Sequence, residues 1–278
     1  MEEYQKWLIG AACVLATAPL LWRAAKPLFP RSAQKLVNFQ MSLLSKNNLN
    51  HNTIVFKFSV PKDWRLPVGQ HVAISMSTPD GKVISRAYTP IAVGSGWVDL
   101  LIKIYRPTER FPQGGALSQY LNSLAIGAVI EAKGPVGRLQ YLGNGRFFYE
   151  GSERVFKKVG MIAGGTGITP MWQIMQAARN EDMEIGLLFG NQSPSDILMR
   201  EDLVDMKERS SINVAFTVDR IGEDEWDGLV GFVDREKIQA TLPPPGDDVI
   251  VIICGPPAMN TMCKTLLGEL GYSHVFSM

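Results

Sequence analysis

The chain has 278 residues, 46% of them hydrophobic, enough for two ordinary domains behind a short leader. A formal net charge of +1 gives no global drive towards nucleic acid, so an anionic partner has to be met by a local patch. Three cysteines (Cys13, Cys254, Cys263) form no disulfide framework, are too few for a four-thiolate iron–sulfur cluster and fit a reducing compartment. His51, His71 and His274 are scattered, which argues against a metal site.

The leader comes first. Residues 7–22 run from Trp7 to Trp22 without a charge, and as a helix would rise roughly 24 Å, slightly short of a hydrocarbon core. Tryptophans at both ends suit the two bilayer interfaces. Glu2 and Glu3 precede the run, while Arg23, Lys26, Arg31 and Lys35 follow it, which keeps the main body cytosolic. The rival is a cleaved signal peptide, since Ala16-Thr17-Ala18 looks like a cleavage site, although Pro19 would then follow the cut. A matrix-targeting peptide avoids acids, and this one opens with two. Residues 1–30 therefore read as an uncleaved membrane anchor.

From about 38 to 142 the pattern is strand-like. Residues 53–58 are rich in β-branched and aromatic side chains, and Val98, Leu100, Ile102 and Ile104 fall on one face of the next strong run. Turn signals recur at Pro79-Asp80-Gly81, Gly94-Ser95-Gly96 and Gly134-Pro135-Val136-Gly137. Many short strands with such punctuation predict a small antiparallel barrel, with one short helix over 118–124. Residues 144–158 read as a linker.

Beyond 159 the period changes. Apolar strands are predicted at 159–163, 184–190, 212–218 and 249–254, alternating with helical stretches. Met171, Ile174, Met175 and Ala178 share one helix face, as do Met259, Met262, Leu266 and Leu270. Such alternation implies a parallel sheet covered on both sides. Gly164 to Pro170, Asn191-Gln192, Asp219-Arg220 and Cys254 to Pro257 all fall at carboxyl ends of these strands, the edge where open parallel sheets bind ligands.

Three motifs carry chemistry. Gly164-Gly165-Thr166-Gly167 lets backbone approach a pyrophosphate, with Thr169 expected to cap the next helix and Pro170 to open it. A glycine turn with a good cap explains the same residues without a ligand, and the spacing is not G-x-G-x-x-G. Arg86-Ala87-Tyr88-Thr89-Pro90 ends a strand with a guanidinium that can bind phosphate bidentately, a phenol and a hydroxyl; in isolation, an exposed charge on a barrel strand is the simpler reading. Cys254, before Gly255-Pro256-Pro257, is on its own terms a small buried hydrophobe. Asp219 can accept hydrogen bonds from ribose hydroxyls and repel a 2′-phosphate, while the adjacent Arg220 could accommodate that phosphate.

In this order the three motifs resemble the NADH–cytochrome b5 reductase branch of the ferredoxin–NADP reductase superfamily, over about 40–276. The resemblance implies an antiparallel Greek-key β-barrel FAD domain (38–143), then an α/β parallel-sheet NAD domain (159–278). It implies that Arg86, Ala87, Tyr88 and Thr89 hold FAD, that Leu101 and Lys103 contact it, and that Gly115, Leu117 and Ser118 bind its pyrophosphate. Gly164, Gly165, Thr166, Gly167, Thr169, Gly255 and Pro256 would hold the nucleotide, and Asp219 would favour NADH. Cys254 would lie beside the nicotinamide ring and, with Thr89, serve catalysis. Two departures stand out: Ala116 replaces a lysine common in the family, and the chain ends in Met278 after Phe276.

The implied activity is hydride transfer from NADH to FAD, followed by single electrons to cytochrome b5. The partner would dock transiently on a positive rim, for which Lys103, Lys133, Lys157 and Lys158 are candidates. A monomer on the cytosolic face of the endoplasmic reticulum or mitochondrial outer membrane completes the expectation. Alternatives are a flavin reductase serving a quinone or other acceptor, and a membrane-tethered flavin or nucleotide sensor without turnover.

Overall fold

In the computed structural model, residues 36–109, 111–222 and 225–278 are described, so the expected anchor at 1–30 and Cys13 lie outside the described residues. Among those residues no helix is long and apolar enough to cross a membrane.

The first half is one antiparallel sheet of seven strands: β1 (Val37–Asn48), β2 (Thr53–Ser59), β3 (His71–Ser77), β4 (Val83–Tyr88), β5 (Ala92–Gly94), β6 (Trp97–Lys103) and β7 (Val129–Val136). Their order is β4-β3-β7-β1-β2-β6-β5, so the curled sheet stays open between β4 and β5 rather than closing by hydrogen bonds. The inward face of β6 carries Val98, Leu100 and Ile102, which join Phe56, Phe58, Met41 and Ile74 in the barrel core. Leu101, on the other face of β6, belongs to the core beneath the second domain instead. Helix α1 (Ala116–Ser123) covers the barrel with Leu117 and Leu121.

The segment expected as a linker is built of strands. β8 (Gln140–Gly143), β9 (Arg146–Tyr149) and β10 (Ser152–Val155) form a small sheet of their own. Tyr141, Phe147, Tyr149 and Phe156 pack into the second domain's core. Alternating aromatics in 141–149 were the available signal, masked by the glycines that make the tight turn at Asn144-Gly145.

The second half is a six-stranded sheet containing β11 (Lys158–Gly164), β12 (Glu184–Asn191), β13 (Ile212–Val218), β14 (Leu229–Val230), β15 (Val249–Cys254) and β16 (Val275–Ser277), all paired in parallel. The order β14-β13-β12-β11-β15-β16 reverses direction of travel at β11, the position where such sheets bind ligands. Helices α2 (Ile168–Ala178) and α3 (Arg200–Arg209) pack on one face; α4 (Arg235–Thr241) and α5 (Pro257–Glu269) pack on the other.

Helix α2 buries Met171, Ile174, Met175 and Ala178, the face read from the sequence. Helix α5 is rotated from the expected face. Cys263 and Leu267 are its buried residues, Met259, Leu266 and Leu270 flank them, and Met262 turns towards the cleft described below. The two sulfur-bearing residues Met262 and Cys263 look equally apolar in sequence, so periodicity alone does not choose between them.

Helix α2 also fastens the halves together. Gln173, buried, accepts a hydrogen bond from the Gly69 N–H at 2.6 Å, and Trp172 Nε1 donates to the Ile91 carbonyl at 3.1 Å. Gly69 adopts φ +93, a conformation that favours glycine. Gln173→Ala leaves that N–H buried without an acceptor and is expected to destabilise the fold by about 1–3 kcal/mol. Urea unfolding followed by tryptophan fluorescence measures this; unchanged stability would mean that the contact across the halves carries no weight.

Candidate functional site

Between the barrel and the carboxyl edge of the parallel sheet lies one cleft of about 2120 Å³. That is roughly twice the upper end for a drug-sized ligand site, large enough for two nucleotides end to end. Every site residue singled out in the sequence lines it, from Arg86 to Thr89, through Leu101, Lys103, Gly115, Leu117 and Ser118, to Gly164–Gly167, Thr169, Asp219 and Cys254–Pro256.

The barrel wall is built by β4, β6 and α1. Arg86 is exposed, its guanidinium donating only to the neighbouring Ser85 carbonyl at 2.8 Å, which leaves the rest of its fork for an anion. Tyr88 packs against the barrel core, and burial pushes its phenol up to about 12, so it stays protonated. At the start of α1 no side chain caps the helix and no acid stands in its first turn. Its free N–H groups face the cleft, a ready anion site. Ser118 serves this turn internally: its Oγ accepts from the Tyr105 N–H at 3.2 Å and donates to the Gly115 carbonyl at 2.8 Å. A Cβ on Gly115 would stand 2.7 Å from that oxygen, which is why glycine is needed there.

The facing wall is the glycine turn. Gly165–Gly167 forms a single 3-10 turn that leads into α2, with Gly167 as its N-cap and no capping side chain. The expected roles of Thr169 and Pro170 are therefore shifted. Thr169 is the second helical residue, its hydroxyl donating to the Thr166 carbonyl at 3.1 Å, and Pro170 is the third, where its missing N–H is still costless. Gly165 has φ +53, and a Cβ placed on it would meet nothing within 4 Å, so ligand can approach its backbone. A Cβ on Gly167 would stand 1.9 Å from the Cys254 carbonyl oxygen, wedging the two loops together. The cleft thus has an uncapped helix N-terminus on each wall.

Cys254 is half-buried, and burial pushes its thiol up to about 11. It is a neutral thiol at physiological pH, unsuited to nucleophilic work and suited to packing against a ring. Asp219 and Arg220 are exposed at the end of β13, tied back by N–H bonds to the Asn191 and Gln192 carbonyls at 3.0 and 3.1 Å. Partial burial nudges the Asp219 carboxyl upward, opposed by Arg220.

Several contributors were not read from the sequence. Phe232, 72% exposed, lines the cleft with Asp219 and offers a free aromatic face. Tyr105, Arg106 and Phe111 line the barrel side in a loop without strand periodicity. Asp196 gathers Lys103 Nζ at 3.0 Å, Asn52 Nδ2 at 3.3 Å and Ser193 Oγ at 2.8 Å, joining the two domains along the cleft. Burial alone would raise Asp196's carboxyl, but Ser193, Lys103 and Asn52 hold it below its ordinary value.

The lysines expected on the docking rim fall in different places. Lys103 is held by Asp196; Lys133, Lys157 and Lys158 do not line the cleft. Lys158 begins β11, at the amino edge of the sheet, and pairs with Glu184 at 3.5 Å. The cleft's positive charge comes instead from Arg86, Lys103, Arg106, Arg138 and Arg220, set against Asp196 and Asp219.

Residues 40–141 match the oxidoreductase FAD-binding domain family, and residues 161–265 the oxidoreductase NAD-binding domain family. The chain is 42% identical over 254 residues to human NADH-cytochrome b5 reductase 1, covering 84% of this chain and 83% of that one. It is 38% identical over 284 residues to NADH-cytochrome b5 reductase 3 of Rattus norvegicus, covering 93% and 94%. Among solved structures, the cytochrome b5 reductase domain of Ulva prolifera nitrate reductase superposes with a TM-score of 0.80 at 32% identity, covering 91% of this chain and all of that one.

The thiol's environment makes a prediction. At pH 7.5 Cys254 should react with iodoacetamide with roughly a hundred-fold smaller thiolate fraction than an ordinary cysteine. Burial also holds Cys263 at about 11, so folding stability should fall as pH climbs from 9 towards 11, where the unfolded chain gives up its thiol protons and the folded chain keeps them. Mass spectrometry of alkylated peptides reads the first; a Cys254 rate equal to that of free cysteine would contradict the buried environment.

Proposed function

The chain belongs to the NADH–cytochrome b5 reductase family, and on that premise we propose that its cleft carries electrons from NADH through FAD to cytochrome b5. The observation that carries the reading is one large cleft walled by two uncapped helical starts, one from each domain, with Cys254 against the second. When bound, FAD accepts hydride from NADH and releases electrons one at a time.

The residues fit FAD. Arg86 and the first turn of α1 hold its pyrophosphate, with Gly115 and Leu117 supplying close backbone and Ser118 contributing its N–H, since its hydroxyl is engaged inward. Tyr88 supplies a flat protonated phenol, Thr89 a hydroxyl and Ala87 and Leu101 the small apolar floor. Gly164–Gly167 and Thr169 receive the phosphates of NADH. Gly255 and Pro256 support that turn, because a Cβ on Gly255 would meet Gly164 Cα at 3.3 Å. Cys254 packs beside the nicotinamide as a neutral thiol. Hydride transfer asks no general base of these residues; they hold two rings in register and keep water out.

Asp219 gives the preference for NADH, by accepting from ribose hydroxyls and repelling a 2′-phosphate, with Phe232 as a face for the adenine. Residues 38–143 serve as the FAD domain and 159–278 as the NAD domain. Residues 1–30 anchor the protein by its N-terminus to the cytosolic face of the endoplasmic reticulum or mitochondrial outer membrane, supported by the uncharged Trp7–Trp22 run and the cations after it. The enzyme acts as a monomer.

The purified protein should be yellow, lose its visible flavin absorbance on anaerobic NADH, and then reduce added cytochrome b5. Bleaching without cytochrome reduction would point to another acceptor, and a colourless protein would overturn the reading. Asp219→Thr should narrow the kcat/KM ratio of NADH over NADPH by at least ten-fold, about 1.4 kcal/mol; a fixed ratio makes Asp219 a mere surface charge. Deleting residues 1–30 should release a soluble FAD-loaded protein that still oxidises NADH, and a precipitated product without flavin would place the leader in the fold.

A further inference from the structure

We propose that Asn191 is a positioning residue for the dinucleotide, its side-chain amide left without partners by the protein and completed when NADH binds. Among the described residues, buried side-chain polar atoms without a hydrogen bond occur at Trp64, Asp99, Asn191 and Asn260, and that of Asp99 is matched by the Lys57 ammonium at 3.0 Å. Asn191 alone lacks partners at both its nitrogen and its oxygen, and it alone of the four lines the cleft. It is only 6% exposed. A buried amide with neither end satisfied is costly and calls for an explanation in what the site binds.

Its place in the sheet says which part of the ligand. Asn191 ends β12, one residue past Gly190, which pairs with Gly164 on one side. On the other side Asn191 pairs with Val218, and its carbonyl accepts the Asp219 N–H at 3.0 Å. The residue is therefore bracketed by the glycine turn and Asp219. Strand alternation puts its side chain on the same face as Leu187 and Phe189, whose core lies towards α2 and the barrel. An amide both donates and accepts. A phosphate only accepts, so the amide needs a group that does both, such as a ribose hydroxyl, and its place beside Asp219 makes the adenosine ribose the segment that completes it. Both amide atoms are sealed from solvent, so the cleft wall over them must shift locally for the ligand to reach them. The Gly165–Gly167 turn contacts β12 and has open space at Gly165. This role for Asn191 rests on NADH occupying the carboxyl edge of the sheet, the reading proposed for the cleft.

The test uses the full FAD-loaded chain with Asn191→Leu, an apolar side chain of similar shape. Thermal unfolding without nucleotide should be unchanged or raised, because an unpartnered buried amide has been removed. The Kd for NAD+, by calorimetry, should weaken about ten-fold, equal to about 1.4 kcal/mol, and KM for NADH should rise while kcat is kept. An unchanged Kd overturns the proposal, whatever the melting temperature. If both stability and affinity fall, the wild-type protein decides: with 15N-asparagine labelling, the Asn191 side-chain NH2 resonance should move downfield on adding NAD+, and a resonance that stays in place also overturns it. Failure of the wild-type protein to bind NAD+ at all would instead remove the underlying reading of the cleft.

Discussion

One helix, Ile168–Ala178, holds the working parts in register. The Gly165–Gly167 turn that leads into it opens on the cleft with no capping side chain, the helix's apolar face seals the parallel sheet, and its outer side chains Trp172 and Gln173 bond to barrel backbone at Ile91 and Gly69. A shift of this helix moves the glycine turn and the barrel together. The two uncapped helix starts that border the cleft, which belong to different domains, are thereby tied together. Leu101 and Leu139, barrel-side residues that join the second domain's core, extend the same junction with apolar contact.

Most of this was legible in the sequence because the parts are local. The strand at 212–218 and that at 249–254 are recovered to the residue, since long β-branched runs have no helical alternative. Loops at carboxyl ends of parallel strands must share an edge, so the four polar motifs were bound to meet. What escaped was relational. The strand at 146–149 depends on packing Phe147 and Tyr149 against Phe156 and the second core, and the exposed strand at 152–155 forms by pairing with it rather than from its own pattern. The rotation of Pro257–Glu269 is set by which side the sheet presents, and the charge around the cleft depends on which cations are already paired. Lys103 looked free in the chain and is spoken for by Asp196, across 93 residues.

Electrostatics in the cleft follow from the same pairing. Five cations against two carboxylates give a surplus suited to two pyrophosphates, and one of those carboxylates is already matched to Lys103. Lys158, at the amino edge of the parallel sheet, is paired with Glu184 and does not line the cleft at the opposite edge. Ala116 brings no charge to the cleft, and Arg86 and Arg106 are among the cations that line it on the barrel side. Arginine keeps its charge and its planar fork when partly desolvated.

The close contact between the glycine turn and the loop after β15 ties affinity to chemistry. Gly167 and the Cys254 carbonyl are so near that no side chain fits between them. In the proposed reading, phosphate binding at the turn and ring placement beside the thiol are therefore mechanically coupled. A rate that depends on holding a donor carbon against a flavin ring is sensitive to displacements of about 1 Å. In the proposed reading Asn191 and Asp219 set affinity at the remote end of the nucleotide, while the contact between the turn and the Cys254 loop sets the position of the ring. The neutral thiol of Cys254 suits this arrangement, because a thiolate there would draw water and counter-charge into the one place where apolar packing sets the distance.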